Sequence, residues 1–75
     1  MTAYHDGMAH ARAALSGLPE PHQDWTSAIR VHRIMQMSDK DAGNWESFCY
    51  HGGVIRVLAE HCTCQAHRVL YGTAR

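Results

Sequence analysis

Imidazole and thiol groups crowd toward the end of this chain. Cys49 and His51 come first, and His61, Cys62, Cys64 and His67 follow. Thiolate and imidazole are the usual ligands of zinc, and four of them close a tetrahedral structural site. On a helix, His61, Cys64 and His67 would recur every third residue and lie near one another on one surface. Cys49 or His51 would then supply the remaining ligands. The spacing contains no Cys-x-x-Cys pair, so it matches no standard zinc finger. The competing reading is plain: a buried free cysteine behaves as a small apolar residue, and surface histidines need no ligand. That reading assigns no cofactor, with zinc as its rival.

A second chemistry would pair Cys64 as a thiolate with His61 or His67. Such a nucleophile also needs a concave pocket and oxyanion donors. No glycine-rich turn stands beside Cys64 to provide them. No phosphate loop, serine elbow or paired-carboxylate motif is present either. These residues argue against an enzyme. Seven histidines among 75 residues raise one more possibility, a response to pH, because histidine titrates near neutrality.

A third use of the sequence is recognition of another protein. Trp, Tyr and Arg are over-represented at the energetic centres of interfaces. Trp25, Arg30, Arg33, Trp45, Tyr50 and Tyr71 form the candidate set, with Met35 and Met37 as adaptable apolar contacts. Some of the aromatic residues, Trp45 and Phe48 first among them, must instead serve the core.

These side chains need elements to hold them. The stretch Val54–Tyr71 places Ile55, Leu58, Cys62, Gln65 and Val69 at alternating spacings of three and four. That period predicts an amphipathic helix with one buried face, and the chain is organised around it. Upstream, Thr2 caps a first helix with Asp6 in its first turn, and Tyr4, Met8, Ala11, Leu15 and Leu18 mark a thin stripe. Gly17 and Pro19 end it, and the prolines of the 18–24 stretch make a connector. A second helix follows from Asp24 or Thr26 to about Met37, with Trp25, Ala28, Ile29, His32 and Met35 on one face. Ile29, Val31, Met35 and Met37 also fit a strand's period of two, but no partner strand is visible and a helix is favoured. Ser38 and Asp41 fit a capping box and predict a third helix from Asp39. Gly52–Gly53 is expected to break it, since two interior glycines cost about 2 kcal/mol. The alternative is one helix running from Asp39 to Tyr71.

The expected fold is all-α: residues 1–75 as one domain of three to four helices, the long C-terminal helix at the centre. A chain this short buries only roughly 60% of its unfolded surface, so a second copy is a natural supplement and a homodimer is expected. Net charge is zero with histidines neutral, which argues against nucleic-acid binding through bulk charge. A helix-turn-helix reader, turning at the glycine pair and presenting Arg56, Glu60, His67 and Arg68, is the remaining nucleic-acid alternative. No apolar run reaches the roughly 20 residues that span a bilayer, and the N-terminus lacks a secretory pattern. The odd cysteine count points to a reducing, cytoplasmic setting. The expected role is therefore a non-catalytic protein that binds a larger protein as adaptor, inhibitor or subunit.

Overall fold

The computed structural model describes residues 2–64. It contains α1 (Ala3–Ser16), α2 (Thr26–Ala42) and α3 (Trp45–His61), and no strand among the described residues. Both α1 and α2 pack on α3 and hardly touch one another. The core is correspondingly narrow. Ala11 and Leu15 come from α1, Ile29 from α2, and Val54, Ile55, Val57, Leu58 and Ala59 from α3, with Cys62 just beyond.

The first helix begins as expected, with the Thr2 hydroxyl accepting from the His5 backbone N–H at 3.2 Å. Gly17 ends it. Its Ala-rich stripe suits a close neighbour, and α3 is that neighbour. A β-carbon at Gly7 would stand 2.0 Å from the Tyr50 carbonyl oxygen, and one at Gly53 the same distance from that of Tyr4. The two helices therefore touch backbone to backbone through glycine.

That contact corrects the expected break at Gly52–Gly53. Both residues lie inside α3, which runs without interruption. The conformational cost of the pair is offset by the approach that it permits. The helix expected to start at Asp39 is likewise corrected. Asp39 and the Ser38–Asp41 box belong to α2, which continues to Ala42. The turn falls at Gly43, whose φ of 74° is left-handed and favours glycine. Asn44 then caps α3, its side chain accepting from the Ser47 N–H at 3.3 Å. At the start of α2, the Asp24 carboxylate accepts from the Thr26 N–H at 2.9 Å.

The helix expected to continue to Tyr71 ends at His61. Cys62 turns extended and forms a single parallel β-type pairing with Gln23. The Thr63 N–H donates to the Gln23 carbonyl at 3.0 Å. Residues 65–71 of the expected helix lie outside the described residues. No helix among those described is long and apolar enough to cross a membrane.

Candidate interaction surface

Early termination of α3 separates the imidazole and thiol groups that the spacing had placed together. His61 is on the last turn of α3, whereas Cys64 lies past its end. His67 is outside the described residues. Cys49 and His51 are two positions apart on α3 and so point in different directions. Cys49 is exposed, Cys62 buried and Cys64 half-buried, and none of the three is in a disulfide among the described residues. Among the described residues, no group of three or more His, Cys, Asp or Glu side chains is placed to hold a metal ion.

The histidines instead meet in pairs along the seams. His51 on α3 and His32 on α2 bring their Nδ1 atoms within 2.8 Å. Their ring centroids are 5.0 Å apart, so the two nitrogens lie between the rings and face each other. This is hydrogen-bond geometry: one Nδ1–H donates and the other Nδ1 accepts. Burial disfavours the charged form of His32, and the neighbouring His51 adds to the effect, so the His32 pKa lies below the usual histidine value. On the opposite seam, the His10 Nδ1 lies 2.9 Å from the Tyr50 hydroxyl, joining α1 to α3. His61 has its Nδ1 3.0 Å from the Val57 carbonyl and stacks on His22 of the connector at 4.8 Å. Apart from His61 with Val57, one turn back on the same helix, none of these partners was legible from sequence spacing, because each pair joins different segments.

Cys62 has a structural task. Its Sγ accepts from the Trp25 N–H at 3.2 Å and from the Cys64 N–H at 3.4 Å. One sulfur thus holds the connector, the start of α2 and the end of α3 together. Trp25 is half-buried against the core, and its indole N–H donates to the Pro21 carbonyl at 2.8 Å. Of the expected interface set, Trp25 and Tyr50 are thus engaged within the chain, and Arg30 and Arg33 lie at exposed positions of α2. Trp45 is 55% exposed and meets Phe48 edge to face. Tyr71 lies outside the described residues.

Among the described residues, the main exposed apolar surface is the outer side of α2. Ile34 is 61% exposed, Met37 67%, Val31 51% and Met35 43%. Met35 was expected on one face with Ile29, which is the buried one. Gln36 takes that place, its side-chain amide donating to the Phe48 carbonyl at 3.0 Å. Ile34 was not singled out from the sequence. Its signal was available, since it falls off the inward stripe on which Ile29 and His32 lie.

Elsewhere, a cleft of about 450 Å³ opens between the N-terminal ends of α1 and α3. Asp6, Glu46 and the His10–Tyr50 pair line it. Two carboxylates with an imidazole and a phenol can hydrogen-bond a polar or cationic group. The expected helix-turn-helix loses its turn, because the glycine pair is helical. Its Arg56 instead lies 3.4 Å from Glu60 one turn on, and Arg12 reaches the same carboxylate at 3.7 Å. The chain matches no family model, no curated protein and no solved structure.

Proposed function

We propose that this chain is a non-catalytic helical interaction protein. It acts by binding a larger protein, as adaptor, inhibitor or subunit, and does so as a homodimer. The observation that carries this reading is the outer face of α2. Four large apolar side chains are exposed there on one helix of a small protein. Scattered exposed apolar residues need no explanation, but a contiguous patch marks a contact surface. Methionine suits such a surface because its flexible thioether adapts to an irregular partner. Arg30 and Arg33 border it, and arginine is enriched among interface residues.

The test uses the full chain, tagged, in extracts of its own source cells. A Val31→Glu/Met35→Glu variant keeps every core residue and leaves Ile34 and Met37 in place, so its circular dichroism and melting temperature should match the parent. The parent should sediment in an assembly larger than its dimer, and the variant should leave that assembly. A parent that sediments no faster than its dimer, or a folded variant that stays in the assembly, refutes the reading.

A further inference from the structure

We infer that the outer face of α2 is the seam of an antiparallel homodimer, formed by α2 packing on α2 of a second copy. The inference rests on the interaction reading above and divides that face: the line through Ile34 and Met37 meets a second copy, and the flank at Val31 and Met35 stays open to the larger partner. Arg30, Ile34, Met37 and Asp41 follow one another at spacings of four, three and four. That alternation keeps side chains along one line of a helix and is the spacing of a helix–helix seam. All of them are exposed. Val31 flanks the line, and Ser27 and Ser38 are small residues on the same side, which lets a second helix approach.

Charge selects the occupant and its direction. The stripe is positive near its start, at Arg30, and negative near its end, at Asp41. Neither side chain has an ion-pair partner among the described residues. A twofold axis passing between Ile34 and Met37 sets Ile34 against the partner's Met37. The same axis sets Arg30 against the partner's Asp41, and it does so at both ends. The surface is therefore complementary to itself, as an isologous interface must be. A parallel pairing would oppose Arg30 to arginine and Asp41 to aspartate, and like charges across a seam are unfavourable. Antiparallel packing also sets the two helix dipoles head to tail. The apolar centre supplies the adhesion, and the charges fix direction and register.

The experiment is sedimentation equilibrium on the full chain, with charge-swap variants and a photo-crosslinking residue at position 34. The parent should be dimeric at micromolar concentration. Ile34→Asp should weaken the dimer by about 100-fold, since it removes the apolar centre twice. Arg30→Asp should weaken it by about tenfold, and Arg30→Asp/Asp41→Arg should restore it. Circular dichroism checks that each variant is folded. Crosslinking from position 34 should join two copies of the chain. A monomeric parent, a dimer indifferent to Ile34→Asp, or a double swap that fails to restore it overturns the inference. A crosslink from position 34 to residues 65–75 of the same chain does the same. A crosslink to a larger protein alone overturns the dimer while leaving the interaction reading standing. A face that crosslinks to nothing overturns both.

Discussion

A methyl group at Gly53 would meet the Tyr4 carbonyl oxygen at 2.0 Å, whereas one at Gly52 would meet the Gln36 side-chain nitrogen at 3.1 Å. The neighbours differ in kind. The first is helix backbone that can yield only if α1 moves as a whole. The second is the end of a flexible side chain. Alanine gains about 1 kcal/mol of helix propensity over glycine at either position. At Gly53 that gain is overwhelmed by separation of α1 from α3, and Gly53→Ala should lose about 3 kcal/mol net. Gly52→Ala should stay within about 1 kcal/mol of the parent, the Gln36 contact taking back part of the gain. Urea unfolding of the two variants side by side checks this. His32 gives a second residue-scale prediction. Its folded pKa is lowered, by burial first and then by His51, so the unfolded chain binds the proton more readily. The stability due to neutral His32 is present above the unfolded value near 6.5 and is lost as pH falls through the folded value. Stability should therefore fall from pH 7 toward pH 5. His32→Gln keeps a hydrogen-bonding group beside His51 without titrating, and its stability should fall less over that interval. Equal slopes in parent and variant would refute the assignment to His32.

The elements themselves were largely legible, and the junctions between them were not. Thr2 and Gly17 act at the ends of α1 as their types suggest, because capping is decided within a few residues of the chain, whereas at α2 the cap position falls on Trp25 and Asp24 bonds the Thr26 N–H from one residue outside it. The Ser38–Asp41 box misled because helical neighbours on both sides keep Ser38 inside α2. The signal for the true turn was Gly43–Asn44, a left-handed glycine followed by a capping residue. Gly52–Gly53 misled for the opposite reason: its meaning lies in α1, far away in sequence. The stripe of α3 did place Cys62 in the core, where it is 2% exposed, but as an extended residue and not a helical one. The histidine pairs and the Cys62 bonds are products of tertiary packing, which spacing along the chain does not encode. The Cys62 junction makes a testable case. Cys62→Ala removes the acceptor of the Trp25 N–H and part of the core at once, and should cost about 2 kcal/mol. Cys62→Ser keeps an acceptor near the same place and should recover part of that loss. Thermal melts of both variants decide the matter. Equal losses would mean that the sulfur serves only to fill space.

At the scale of the molecule, the three helices of the described residues give two seams instead of three. With α1 and α2 barely in contact, α3 is covered on two sides while α2 keeps its outer side exposed. Only Ile29 of α2 belongs to the buried core. The second helix is therefore the least well anchored element. It also carries most of the large apolar side chains left exposed. One structural change addresses both facts, namely cover over the outer face of α2. A partner that binds only the folded chain raises its stability by mass action, in proportion to the logarithm of its concentration. If the partner is a second copy, the melting temperature must depend on the protein's own concentration. Raising the total concentration from about 1 to about 100 times the dimer dissociation constant should stabilise the fold by roughly 1 kcal/mol per chain, because most of the added protein enters the dimer and the free monomer rises only about 14-fold. For a domain of this size that corresponds to a rise of about 5–10 °C in melting temperature. Ile34→Asp, which touches no core residue and dimerises about 100-fold less well, should shift by no more than about 3 °C over that range. Hydrogen exchange locates the same effect: amides of α2 should slow with concentration in the parent, and those of α1 should slow less. A parent melting temperature independent of concentration would mean that α2 is held by its seam with α3 alone.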